Sequence, residues 1–410
     1  MLKTNIIANY AGAALVGLIN VSALAVYVRL YGTAGWGNIA TYVVIINTLM
    51  MVDFGISQIY VASFAKAGNP SKIFSVYRAT LGLIAVTAAL VVLLGVTGLN
   101  AAGVLTKPVY TQHDLLLQTM LLFVLNFLNN FHYVDLSARQ QQLQQNLRWV
   151  SFTLLKNTGA IALAYVWAGN PDGYFLAFLL VAAGELAFNT NASKNERMKT
   201  SMADIVGVLK DGKLLSLSIV VGILVFNLDR IVLPTVTDAG DFGVYATVAT
   251  VGLYYLQLQY PVMKAFFPHI ASQSHSKSGG AMSVSKQVLV VAGLMAPPLA
   301  LSGYFSSEIL QAFSIDTGHM SGARLLFKSI LAAVFLNAIY HVVYQRLVIH
   351  QRAHAILAIN IAGLLLALAV MLSMGARDPF QAGSVYWVGG ALIQLLGGWA
   401  YYAVKKNDWQ

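Results

Sequence analysis

Long apolar stretches recur along the whole chain and are separated by short polar ones. Because a helix needs about 20 apolar residues to cross a bilayer, the pattern predicts twelve transmembrane helices and therefore an all-α polytopic membrane protein. Although Lys3 and the apolar run after it resemble a signal peptide, the run is longer than a signal core, so we interpret it as a retained span. The predicted spans are 6–30, 38–63, 75–97, 112–134, 149–169, 172–190, 212–236, 243–269, 285–306, 325–349, 353–375 and 382–404.

A short motif occurs twice, half a chain apart. Residues 36–41 read WGNIAT and residues 242–247 read FGVYAT, and each opens an apolar stretch. An apolar helix ending near an arginine, Arg29 or Arg230, comes before each copy. Two parallel halves that enclose a central cavity are a common plan for transporters. We therefore predict a six-helix bundle in residues 1–190, a cytoplasmic linker in 191–211 and a second six-helix bundle in 212–410.

Composition agrees with this interpretation and narrows the chemistry. Hydrophobic residues make up 58% of the chain and charged residues 10%, against about 25% charged in soluble domains. The absence of cysteine excludes disulfides and thiol chemistry, and eight scattered histidines make a zinc site improbable. The net charge of +10 fits cytoplasmic loops and a polar interior that prefers anions, and the lysine and arginine distribution predicts that both termini are cytoplasmic.

Three carboxylates fall within apolar stretches, where an unpaired charge is costly. Asp53 lies about fifteen residues into the second predicted span, Asp229 precedes Arg230, and Glu185 lies about one turn from the inner end of the sixth span. Each is a candidate for ion coupling or for holding a basic partner. Glu185 could pair with Lys156 of the neighbouring span or exchange protons, and the sequence leaves both open.

Basic residues at membrane depth or at the helix ends are candidates for binding substrate anions. Each alone is commonly an interfacial anchor, but together they could bind phosphate or carboxylate at both mouths of a cavity. These candidate cavity bases are Arg29, Lys156, Arg230, Lys264, Lys328 and Arg78.

Several segments resemble a known family of membrane proteins. The opening 5–10, the segment 29–37 and Asp53-Phe54-Gly55-Ile56 look like the N-terminal signature of Wzx-type O-antigen flippases, in the polysaccharide transporter family of the MOP superfamily. Residues 229–233 followed by 242–245 are similar to the family's seventh-helix pattern. One departure is the first helix, which reads Leu-Ile-Asn-Val-Ser at 18–22 and lacks the proline of many relatives.

The resemblance implies a 6+6 helix bundle shared with MATE exporters and lipid II flippases. It also implies that an undecaprenyl-diphosphate-linked oligosaccharide is translocated from the inner to the outer leaflet of a bacterial inner membrane. A coupling gradient of H⁺ or Na⁺, membrane lipids as surroundings, and a polysaccharide polymerase and chain-length regulator as partners are further expectations. No cofactor, metal or nucleic acid is expected.

Two other classes of protein remain open. A MATE-like exporter of small organic cations shares the architecture but should prefer an acidic cavity. A membrane glycosyltransferase or polymerase should need a sizeable extramembrane region, whereas the longest predicted loops, 191–211 and 307–324, are too short to form a folded domain.

Overall fold

The computed structural model describes residues 2–50, 56–65, 70–105, 108–167, 169–192, 198–211, 213–259, 263, 283–350 and 352–405. Within these ranges the chain is helical and contains no β-strand. It forms two compact units, residues 1–220 and 221–410. Seven described helices are long and apolar enough to cross a bilayer, and the longest, Ala11–Met50, contains most of the first predicted span and the start of the second.

The first unit is a helical bundle. Its described helices are α1 (Leu2–Met50), α2 (Ile56–Ala65), α3 (Pro70–Ala101), α4 (Pro108–Thr111), α5 (His113–Ala138), α6 (Gln142–Val166), α7 (Pro171–Ala192) and α8 (Met202–Asp211). The helix α5 packs against α1, α2, α3, α6 and α7, and α1 also packs along α6. The short helix α8 belongs to the predicted linker and packs on α3.

Gly32 divides α1 into two helical segments. Its φ of 67° and ψ of 171° lie outside the helical region, in a conformation that side chains disfavour and glycine adopts freely. The first predicted span therefore ends at this glycine and the second begins just after it.

The second unit begins within α9 (Lys213–Val236), at residue 221. Its other helices are α10 (Ala239–Tyr254), α11 (Val284–Tyr304), α12 (Ser306–Ala312), α13 (Met320–Ile349), α14 (Ala353–Met374) and α15 (Pro379–Lys405). The central helix is α13, which contacts α10, α11, α12, α14 and α15. A continuous row of its residues is buried, including Ile330, Val334 and Ala338.

The repeated motif has the same local structure in both units. The hydroxyl of Thr41 donates to the Gly37 carbonyl at 2.9 Å, and the hydroxyl of Thr247 donates to the Gly243 carbonyl at 2.8 Å. The chain also breaks its helix at the same register, at Gly32 in one unit and at the helix cap Asp238 in the other. The two halves thus share a plan at their first helix pair.

The turn between α6 and α7 confirms that the sequence marks these helix ends. Gly169, with φ 77°, follows α6, and its N–H donates to the Ala164 carbonyl at 2.9 Å. Asn170 then accepts from the N–H of Asp172 at 2.9 Å, which caps the start of α7. The predicted tight turn between the fifth and sixth spans is therefore present.

The members of one predicted pair lie well inside their helices. The helix α6 begins at Gln142, seven residues before the predicted span, and α7 continues to Ala192, two residues past the predicted span. Lys156 is therefore about 21 Å from the start of α6. Glu185 lies about two turns before the end of α7.

Candidate functional site

A buried ion pair connects the middles of α6 and α7 in the first unit. The Lys156 ammonium lies 2.7 Å from Oε2 of Glu185, and the two side chains are 15% and 1% exposed. Lys156 also donates to Oδ1 of Asn126 at 3.0 Å. Because the carboxylate and an amide oxygen both face the ammonium, the charge of Lys156 is balanced at a depth where an isolated cation would be costly.

Tyr133 and a row of amides complete the surroundings of this pair. The Tyr133 hydroxyl donates to Oε1 of Glu185, so both carboxylate oxygens have a partner. The Asn129 amide donates to the Ala182 carbonyl at 2.9 Å and accepts from Asn189 at 3.1 Å. These bonds fix the orientation of the Asn129 side chain and cross-link α5 to α7.

The pair and the amides border a polar cavity of about 220 Å³. At roughly 30 Å³ per water molecule, that space corresponds to about seven waters. It is polar in a bundle whose other interior residues are mainly apolar, which is the arrangement expected of a site that receives a hydrophilic group. The lining residues are Ile46, Asn47, Met50, Asn126, Asn129, Asn130, Tyr133, Trp149, Phe152, Thr153, Lys156 and Glu185.

In the second unit, Asp229 is the centre of a separate buried cluster. Its side chain is fully buried, and Oδ2 accepts from the Tyr245 hydroxyl at 2.6 Å and from the Trp387 indole N–H at 3.0 Å. The guanidinium of Arg230 approaches Oδ1 at 3.9 Å. Three helices, α9, α10 and α15, therefore meet at one carboxylate.

Arg230 is held by its own helix. Its guanidinium donates to the Phe226 carbonyl and to Oδ1 of Asn227, each at 3.0 Å, and its side chain is 13% exposed. Because α9 continues to Val236, this arginine lies within the helix and is largely buried. The alternative that it lies at a helix end and extends to the headgroups does not fit this geometry.

The second unit also contains an amide cluster, but its amides bond to each other. Gln259 donates to Asn337 at 3.2 Å, and Asn337 donates to Gln394 at 3.1 Å. The adjoining cavity holds about 20 Å³, room for about one water molecule. This cluster therefore cross-links helices and leaves little space for a ligand.

Three other predicted site residues lie apart from both clusters. Arg78 on α3 donates to the Thr190 hydroxyl of α7 at 3.4 Å, while Arg29 and Lys328 have exposed side chains. Asp53 and Lys264 lie outside the described residues. Of the five candidate bases that the structure describes, only Lys156 borders the larger cavity.

An acidic cluster around His319 lies outside the membrane-spanning segments. The ring nitrogens of His319 lie 2.6 Å from Oδ1 of Asp316 and 2.9 Å from Oδ1 of Asp241. Partial burial alone would lower the pKa of His319, but hydrogen bonds from the ring to these carboxylates raise it above 6.5. The backbone N–H of His319 in turn lowers the pKa of Asp316, and the N–H of Asp241 lowers that of Asp238.

The sequence interpretation missed the amides and the aromatic donors. Asn126, Asn130 and Tyr133 are spaced by four and three residues and thus lie on one face of α5, a pattern that was present in the sequence. Tyr245 and Trp387 gave no comparable signal, because their contact with Asp229 joins positions far apart in the chain.

Comparisons with known proteins identify the fold. No protein-family model matches the chain, and no curated protein matches it either. Among solved structures, the lipid II flippase MurJ in an inward closed conformation aligns with a TM-score of 0.74 at 12% identity, over 98% of this chain and 87% of MurJ. The MATE multidrug transporter DinF-BH aligns with a TM-score of 0.69 at 15% identity, over 98% and 95% of the two chains.

A mutant of the MATE transporter VcmN of Vibrio cholerae gives a TM-score of 0.60 at 12% identity, over 98% of this chain and 96% of VcmN. At these identities the likeness establishes the fold. The chain is a multi-pass, all-helical membrane protein with the architecture shared by MATE transporters and MurJ, and its structural neighbours are transporters, one of them a lipid flippase.

Proposed function

We propose that this protein is a flippase that carries an undecaprenyl-diphosphate-linked oligosaccharide, such as an O-antigen repeat unit, across the bacterial inner membrane. The observation that carries the proposal is Lys156. It is a base in the middle of α6, it borders a polar cavity of about 220 Å³, and an acid holds it in place. A diphosphate headgroup needs such a base, because two phosphate charges cannot enter low dielectric without compensation.

Glu185 provides a means of switching that base. While Glu185 is ionised, its carboxylate neutralises Lys156 across 2.7 Å. A proton on Glu185 would remove that compensation and leave the ammonium available to a phosphate oxygen. Loss of the proton would restore the pair and release the substrate, so protonation of Glu185 and binding of the phosphate are linked.

The remaining predicted residues have supporting roles in this proposal. Arg230 and Asp229 are a buried base and acid of the second unit, 3.9 Å apart and with other partners. Arg29, Arg78, Lys264 and Lys328 attract the headgroup at the ends of the path, and Asp53 is a further site for H⁺ or Na⁺.

The alternative function is export of small organic cations, which the MATE neighbours make reasonable. The buried carboxylates of Glu185 and Asp229 would then bind the cation. Against it, Glu185 already has an ammonium and a hydroxyl as partners. Asp229 likewise has a hydroxyl and an indole N–H as partners. A cation would therefore displace existing partners in both units.

The proposal extends to location and partners. We place both termini in the cytoplasm, which puts the start of α6 at the inner surface. The polymerase and the chain-length regulator would act on the glycan after it reaches the outer leaflet. The cycle needs no cofactor.

The experiment reconstitutes the full chain in vesicles with a radiolabelled polyprenyl-diphosphate oligosaccharide. An external sugar-modifying enzyme reports how much glycan is accessible, with and without an imposed pH or sodium gradient. Gradient-dependent movement of chemically unaltered lipid supports the flippase. A lengthened or transferred glycan would contradict it in favour of an enzyme, and uptake of small cations alone would contradict it in favour of an exporter.

A further inference from the structure

The cavity of the first unit has hydrogen-bonding groups that face open space as well as groups that hold the bundle together. Asn129 is fully engaged with Ala182 and Asn189, so it belongs to the second kind. Asn47 on α1 and Asn130 on α5 also line the cavity, and both have exposed side chains. Each amide offers two donor hydrogens and an acceptor oxygen, the groups that match the hydroxyls of a sugar.

An aromatic side chain lines the same cavity as these amides. Trp149 lies in the first half of α6, lines the same cavity and is 39% exposed. An indole combines a flat apolar face with one N–H donor, so it can pack against the C–H face of a pyranose ring while amides bind the hydroxyls at the ring edge.

The amide cluster of the second unit can be compared with this cavity. There, Gln259, Asn337 and Gln394 bond to one another beside a cavity of about 20 Å³. The amides of that cluster thus join helices and leave little open space beside them. The cavity of the first unit is about eleven times larger. Its lining includes exposed amides and an indole, and helix packing alone does not require polar groups at such positions.

We infer that this cavity is a sugar subsite, which takes one uncharged pyranose, the residue bonded directly to the diphosphate. The inference rests on the proposed function and assigns to that site the part of the substrate that it recognises. Lys156 lies in the same cavity as Asn126, so phosphate and first sugar would be bound side by side. An anionic sugar is disfavoured, because Lys156, the one base among the described residues that line the cavity, is needed by the phosphate and Glu185 lies beside it.

Binding to the purified full chain tests the inference with four labelled probes. One is undecaprenyl diphosphate without sugar, and the others carry a single N-acetylglucosamine, glucose or glucuronic acid. At least one uncharged-sugar lipid should bind about tenfold more tightly than the bare lipid, equivalent to about 1.4 kcal/mol. The glucuronic acid lipid should show no such gain.

Variants at the opening of the cavity should remove this preference. In Asn47→Ala, Asn130→Ala and Trp149→Ala proteins, the affinity for the sugar lipid should fall towards that for the bare lipid, whose own affinity stays unchanged. Trp149→Phe retains a ring and should keep part of the preference. Trp167→Ala is the matched control, since Trp167 is 41% exposed and follows the other end of α6.

The outcomes separate this inference from the proposed function. Equal affinity for bare and sugar lipids, or a preference that survives all three variants, overturns the sugar subsite and leaves the flippase proposal in place. Binding of neither class of lipid by the wild-type chain overturns the proposed function, and the sugar subsite with it.

Discussion

The pair formed by Lys156 and Glu185 allows a quantitative test, because each partner can be removed alone or together with the other. Glu185 is 1% exposed, so Lys156→Met leaves a carboxylate whose remaining partner is the Tyr133 hydroxyl. Glu185→Leu leaves an ammonium that is 15% exposed and bonded to Asn126. Both single variants therefore strand a charge, whereas the double variant Lys156→Met with Glu185→Leu strands none.

Two reference magnitudes bound the expected effect. Removing one partner of a buried ion pair in a soluble protein costs about 3–5 kcal/mol. Interhelical hydrogen bonds in a membrane protein contribute about 0.6 kcal/mol on average and up to about 1.7, because helices separated in lipid also find partners. A charged pair at 2.7 Å should lie between these ranges. We expect a coupling energy of about 2–3 kcal/mol, with the double variant more stable than either single one.

The assay is reversible unfolding in mixed micelles with increasing denaturing detergent, followed for the wild type and three variants under one set of conditions. Lys286→Met is the control, since Lys286 is exposed in the first turn of α11. Additive effects of the two single substitutions, with coupling near zero, would refute the interpretation that the cavity holds a balanced charge pair.

Three further substitutions test other parts of the structure. Gly383→Ala should destabilise the second unit by about 1–3 kcal/mol, because the added Cβ would lie 2.5 Å from the ring of Tyr245. The control is Gly390→Ala, whose Cβ meets nothing within 4 Å and which should be neutral in the same unfolding assay. Asp229→Asn should cost about 1–2 kcal/mol, since a neutral acceptor weakens the bonds from Tyr245 and Trp387, and unchanged stability would contradict this. Because the pKa of His319 is raised in the folded protein, its contribution to the free energy of unfolding is fully present below about pH 6.5 and is lost as the pH rises through the folded-state pKa. The melting temperature of the wild type should therefore fall towards alkaline pH. His319→Gln should flatten that dependence.

Apolar periodicity was sufficient to predict most of the fold. Stretches of about twenty residues gave the helices, the repeated motif at 36–41 and 242–247 gave the common plan of the halves, and residues 169–173 gave the turn before α7. The ends of α6 and α7 were harder to predict from the sequence, since polar extensions such as 142–148 continue a helix beyond its apolar part.

The candidate site could be predicted only in part. Lys156 and Glu185 were visible because charge is rare in an apolar stretch, and their neighbouring helices made a pair reasonable. Amides carry no net charge and are common in loops, so the sequence did not mark Asn126 and Asn130 as candidate site residues. Whether a base such as Arg230 faces open space or its own helix depends on side-chain packing, which the sequence pattern does not specify.

The central claim is that Lys156 carries the diphosphate headgroup through the membrane. The most direct measurement is the rate at which vesicles translocate a labelled undecaprenyl-diphosphate oligosaccharide, compared among wild type, Lys156→Arg, Lys156→Met and the exposed control Lys286→Met at equal protein content. Our account predicts normal rates for the wild type and Lys286→Met, a partial rate for Lys156→Arg, and a rate near that of empty vesicles for Lys156→Met. A Lys156→Met protein that inserts normally and translocates the lipid at the wild-type rate would contradict it.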